Sequence, residues 1–157
     1  MARLAAGDFE AILLAAAGLR RLQLLRDDMQ LLDPDLFCPA AGQGILALEC
    51  REEDNRTRAL LDPLGDPETA IVATAERAFL ARLEGGCQVP MGAYATLSAG
   101  ELEIRGMIGD PSGRPFFSGS KSGAPERAAE LGRELAETLL RLGADRVLER
   151  FVSHTGS

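Results

Sequence analysis

The chain has 157 residues, 46% hydrophobic and 26% charged, enough for one ordinary domain or one small domain plus part of another. That balance excludes a disordered chain, and every apolar run falls far short of the ~20 residues a membrane helix needs. A net charge of -7 argues against nucleic-acid binding through a basic surface and requires any anionic ligand to find a local cluster of arginines. Three cysteines are too few and too unevenly spaced for a disulfide framework. Residues 1 to 30 lack the pattern of a secretory signal, so free thiols in a cytoplasmic protein are the natural reading. The single histidine, His154, has no second imidazole or tight cysteine pair to complete a metal site, and none is expected.

Met1 to Ala6 reads as the end of a helix. Phe9 to Ala16 is a continuous apolar run between Gly7 and Gly18, suited to a strand buried on both faces of a parallel sheet. Such a strand needs neighbours that eight preceding residues cannot supply, so the polypeptide is expected to begin inside a domain. Leu19 to Leu32, with Arg20, Arg21 and Arg26 between its leucines, suggests a helix with an irregular end at Asp27-Asp28. Pro34 marks a connection. Pro39 to Gly44 is a glycine-containing turn, Ile45 to Cys50 a short strand and Asn55 to Leu61 a short helix. Cys38 and Cys50 read as ordinary thiols, one before a proline turn and one in a buried strand.

Asp66-Pro67 is a clear helix start, an N-cap followed by proline at the first helical position. The helix runs to about Leu83 and buries Val72, Ala75, Phe79 and Leu83, leaving Glu76, Arg77 and Arg82 on a solvated face. Gly85 is placed to end it. Gly92 to Leu97, Leu102 to Ile108 and Pro115 to Lys121 form an antiparallel meander, joined by a hairpin loop at Ser98-Ala99-Gly100 and a turn at Asp110 to Gly113. Pro125-Glu126 opens a long amphipathic helix with Ala128, Leu131, Leu135, Leu139 and Leu142 on one stripe, stopped by Gly143, and Val147 to Val152 makes a last short element. The fold class is α+β: a three-stranded antiparallel sheet with helices on one face, preceded by an incomplete α/β segment.

Between the first long helix and the sheet stands Glu84-Gly85-Gly86-Cys87-Gln88-Val89-Pro90. Two glycines leave little bulk beside the sulfur, so the residues describe a thiol presented on a loop. Reactivity requires an accessible, activated thiolate, and no histidine stands near Cys87 in the motif to make a stand-alone thiol enzyme.

The stretch from Arg82 to Tyr94 resembles the cofactor-attachment signature of the porphobilinogen deaminase (hydroxymethylbilane synthase) family. Pro39-Ala40-Ala41-Gly42-Gln43-Gly44 with Leu48-Glu49-Cys50-Arg51, and Ala11 to Leu22, resemble two further blocks in the same order. The resemblance implies that Cys87 carries a dipyrromethane cofactor through a thioether. The primer is extended by four porphobilinogen units with release of ammonia, and linear hydroxymethylbilane is then cleaved off. It implies that Arg21 contacts the acetate and propionate groups, a task for which a guanidinium fork is suited. Ala15, Gly18 and Gln43 match positions lining the cofactor cleft; Arg20 matches a less strictly basic one, and for Arg77 and Arg82 support is thin. It further implies that residues 1-63 are an incomplete remnant of the family's second domain plus a return segment through the first. Residues 64-157 are then the cofactor-attachment domain. No stretch matches the surroundings of the family's catalytic aspartate, so no catalytic residue is assigned and a complementary N-terminal fragment is the expected partner. The competing reading is a non-catalytic module that holds a tetrapyrrole precursor or binds another protein.

Overall fold

The computed structural model describes residues 2–83 and 90–152. The chain forms two compact units, Met1–Asp33 and Pro34–Ser157, a division that falls inside the stretch 1–63.

The first unit holds two short helices, α1 (Ala2–Ala5) and α2 (Ala16–Arg21), joined by irregular backbone. Arg3 pairs with Asp8 at 3.0 Å and lies over the ring of Phe9, 4.7 Å from its centroid. The strand expected over Phe9 to Ala16 does not form. A strand needs a ladder partner for its backbone groups, and the described residues of this unit contain no other strand. Leu13 is accordingly 81% exposed. The helix expected over Leu19 to Leu32 is cut short at Arg21, because Gln23 takes a left-handed backbone (φ 56°).

The second unit begins with irregular chain through Asp54. Ile45 to Cys50 makes no strand, Leu46 is 86% exposed, and Cys50 is only half-buried. Helix α3 (Asn55–Leu61) starts where Asp54 accepts hydrogen bonds from the Thr57 amide and hydroxyl at 2.9 and 2.7 Å. Helix α4 (Pro67–Leu83) starts in the same way, with Asp66 accepting from the Thr69 amide at 2.7 Å. Strands β1 (Met91–Ser98), β2 (Glu101–Gly109) and β3 (Phe116–Gly123) pair antiparallel in that order. Their register sets Ala93 opposite Gly106 and Gly106 opposite Gly119. Helix α5 (Ala128–Leu139) passes through a wider turn, in which Gly143 has φ 107°, into α6 (Asp145–Val152). That break in the helix turns Leu142 away from the apolar stripe on which its spacing places it, and it is 62% exposed.

Alternation along the strands sends one set of side chains to the helices. Ala93 and Ala95 of β1 and Leu102, Ile104 and Ile108 of β2 pack with Phe79 and Leu83 of α4 and Leu131, Leu135 and Leu139 of α5. Each large side chain buried here contributes about 1.5–3 kcal/mol. Glycines permit the close approaches. A Cβ on Gly132 would lie 2.2 Å from the Ala75 carbonyl oxygen, so α5 meets α4 at that point backbone to backbone. A Cβ on Gly106 would lie 2.7 Å from the Phe79 ring, which fills the space over the middle strand. The sheet and its helices on one face make the α+β architecture that the sequence implies. The connection from Leu83, at the buried end of α4, to Met91, at the start of β1, contains Cys87.

Candidate cofactor site

The residues singled out from the sequence fall in three places. Ala15, Gly18 and Arg21 belong to the first unit. Ala15 is the residue before α2, with extended backbone (φ -70°, ψ 115°), and Gly18 and Arg21 follow at spacings of three, so the three share a side of the helix. All are exposed, and a Cβ at Gly18 would meet nothing within 4 Å. Arg21 sits in the last turn, where helix carbonyls favour a cation, and it makes no ion pair among the described residues. Cys87, with the glycines beside it, lies outside the described residues, as does His154.

Gln43 belongs to the second unit, where the geometry is specific. Residues 40–45 form consecutive turns: the Gln43 amide donates to the Ala40 carbonyl at 3.0 Å, and the Ile45 amide to the Gly42 carbonyl at 3.1 Å. Gly42 and Gly44 take φ of 75° and 86°, which the turn requires of glycine. The turn lies along the free edge of β1. The Ala93 amide donates to the Pro39 carbonyl at 3.1 Å, and Gly92 leaves room for this approach, since a Cβ there would sit 2.7 Å from the Pro39 oxygen.

Glu76 completes the junction. One carboxylate oxygen accepts from the Gly42 amide at 2.6 Å, the other from the Ala95 amide at 2.9 Å. This corrects the expectation of a solvated face, for Glu76 is 3% exposed. A signal was available: Glu76 falls within the apolar stripe 72, 75, 79, 83, four residues after Val72 and three before Phe79. A carboxylate at such a position needs hydrogen-bond donors, and two backbone edges supply them.

Beside this junction is a groove of about 430 Å³, lined among others by Pro39, Gln43, Ile45, Glu68, Val72 and Tyr94. Asp66 and Glu76 also face it, so its charge is unfavourable to a ligand rich in carboxylates. Cys38, next to the turn, has its thiol pushed above the usual range, by burial first and the nearby Glu76 carboxylate second, against the opposing Arg105 charge. Arg105 is engaged with Asp35 and with Glu103, the latter at 3.1 Å, and these bonds raise its already high pKa. Cys38 is thus held as a neutral thiol, in keeping with an ordinary role.

Two family models match the chain. The model described as "Porphobilinogen deaminase, dipyromethane cofactor binding domain" covers residues 1–59, and "Porphobilinogen deaminase, C-terminal domain" covers residues 70–141. The chain belongs to the porphobilinogen deaminase family. The family is a transferase of tetrapyrrole synthesis acting on porphobilinogen, and residues 1–59 correspond to its dipyrromethane-binding domain. The junction described above therefore joins the two matched parts: the Pro39–Gly44 turn falls in the first and Glu76, Ala93 and Ala95 in the second. The porphobilinogen deaminase residues present fit a dipyrromethane in part. In the first unit the exposed guanidinium of Arg21, without an ion pair among the described residues, suits its carboxylates; in the second unit, taken by itself, Gln43 is exposed but the acidic wall of the groove beside it does not suit them. No helix among the described residues is long and apolar enough to cross a membrane.

Proposed function

We propose that this chain provides the cofactor-carrying C-terminal part of hydroxymethylbilane synthase, with dipyrromethane bound covalently through Cys87 and porphobilinogen as the substrate of the completed enzyme. The observation that carries this reading is the match of both family models in order, with the Arg82 to Tyr94 motif intact at the end of α4 and the start of β1. In this reading residues 1-63 are the remnant of the second domain with the return segment through the first, and residues 64-157 are the attachment domain. The bound group supplies a pyrrole terminus on which further units can be condensed. Arg21 holds carboxylate side chains, Gly18 and Ala15 keep the approach to α2 open, and Gln43 offers an amide. The enzyme acts in the cytoplasm, consistent with free thiols and no membrane-crossing helix among the described residues.

Deamination needs a carboxylate beside the pyrrole nitrogens to stabilise developing positive charge, and no acidic residue of this chain lies in the family's motif for it. The chain alone therefore does not convert porphobilinogen. It acts with the family's N-terminal part, as a separate polypeptide or a joined one. The exposure of Leu13 (81%) and Leu14 (50%) supports an apolar face awaiting such a partner.

The test is the intact mass of the purified chain before and after incubation with hydroxymethylbilane, beside a Cys87→Ser control. Attack of the Cys87 thiolate on the hydroxymethyl carbon with loss of water leaves all four pyrroles attached, so the expected result is an adduct of hydroxymethylbilane less one water that the control lacks. An adduct equally present on Cys87→Ser, or none on either, would count against attachment by this part alone. Formation of hydroxymethylbilane by the purified chain would overturn the prediction that it is inactive by itself.

A further inference from the structure

We propose that Glu76 is a positioning residue for Gln43, a buried latch that makes the Pro39–Gly44 turn move as one body with the cofactor-attachment domain. This rests on reading Gln43 as a cofactor residue.

A carboxylate at 3% exposure is costly unless its oxygens are hydrogen-bonded. Among the described residues Glu76 meets that cost with backbone donors, one from each of two segments far apart in sequence: Gly42 at 2.6 Å and Ala95 at 2.9 Å. Among the described residues the Gly42 amide donates to no backbone carbonyl, and this carboxylate satisfies it. Gly42 immediately precedes Gln43, whose own amide is committed within the turn. Fixing Gly42 therefore fixes where the Gln43 side chain leaves the backbone, at the rim of the groove that Glu76 also lines. A second tie, from the Ala93 amide to Pro39, holds the other end of the turn. A charge-assisted bond to a buried carboxylate is stronger than an ordinary one, which suits a latch.

Glutamine at position 76 is nearly isosteric, yet it keeps one acceptor oxygen and would turn an amide N–H towards one of the two backbone N–H groups. Amide exchange and side-chain resonances of the isotopically labelled full chain read the consequence. In the wild-type chain the Gly42 amide should be protected from exchange. In Glu76→Gln the Gly42 and Ala95 amides should exchange about tenfold faster or more, while Phe79 and Ile104 stay protected. The Gln43 side-chain amide signals should move. Uptake of cofactor from hydroxymethylbilane should slow to the rate of Gln43→Ala, with the double variant no slower than either single one, because Glu76 acts through Gln43.

An unprotected Gly42 amide in the wild-type chain overturns the latch. Unmoved Gln43 side-chain signals in Glu76→Gln, or losses that multiply in the double variant, overturn the positioning role. Should Glu76→Gln fail to fold, Glu76→Asp, which keeps the charge and withdraws it by one methylene, carries the same comparison. A wild-type chain that acquires no cofactor counts against attachment by this part alone, whereas the amide and side-chain measurements still decide the latch.

Discussion

The stretch from α4 to α5 has fewer leucines and alanines for its length than the stretch from Ala2 to Cys50, yet it is the one that buries its apolar side chains. In the first, Phe79, Leu102, Ile104, Leu131 and Leu135 are fully buried, and α4, the sheet and α5 close on one another. In the second, Leu13, Leu36 and Leu46 are each about four-fifths exposed or more, and the backbone is mostly irregular. Apolar content alone does not make a core. It becomes one only where the periodicity of each element faces another element's, as the inner positions of β2 face Phe79 and Leu135.

The comparison breaks most sharply in the core. Phe79→Ala should cost about 3–5 kcal/mol, since it empties the space over Gly106 and removes the ring that α4 sets on the middle strand. Gly132→Ala should cost about 1–3 kcal/mol or more, because its methyl would collide with the Ala75 carbonyl, which no rotamer change can move aside. Denaturant unfolding followed by circular dichroism measures both. Retention of the wild-type midpoint by either variant would mean that α4 and α5 are not packed as described.

How much could be read in advance follows the same division. Asp66-Pro67, the spacing of Phe79 and Leu83, and the turn residues between strands are local signals that agree with burial, so α4 and the three strands were legible within a residue or two. Phe9 to Ala16 was misread as a strand because a continuous apolar run states only that burial is favourable, and the partner that would bury it is a matter of tertiary context. Leu142 was misplaced because a periodic stripe cannot show that Gly143 would redirect the chain into α6. Of the residues proposed for the site, the motif points to Gln43, but the partner of its turn, Glu76, was hidden by the habit of reading helix charges as solvated.

A smaller effect sharpens the comparison through pH. Asp66 is held below the usual carboxylate range, first by the Thr69 backbone hydrogen bond and then by that residue's hydroxyl, and Asp54 is held low by Thr57 in the same way. A folded-state pKa below the unfolded one gives stability that is complete above the unfolded pKa and is lost as pH falls through the folded value. Asparagine caps a helix without titrating. Asp66→Asn should therefore flatten the fall in melting temperature below about pH 4 while changing it little at neutral pH. A slope equal to wild type would assign acid sensitivity to other carboxylates, Asp110 among them, which Ser112 hydrogen bonds also hold low.

The smallest expected effect tests the open side of the comparison. Leu13→Ser and Leu46→Ser should each change the unfolding free energy by no more than ~0.5 kcal/mol, because neither side chain is shielded from water in this chain and little burial is there to lose. Their consequence should instead appear in association. If these leucines face the family's N-terminal part, the substitutions weaken capture of that part in a titration followed by sedimentation or light scattering, with unfolding unchanged. A large loss of stability would instead mean that the second stretch has a core of its own. Unchanged stability together with unchanged capture would remove these two leucines from the interface.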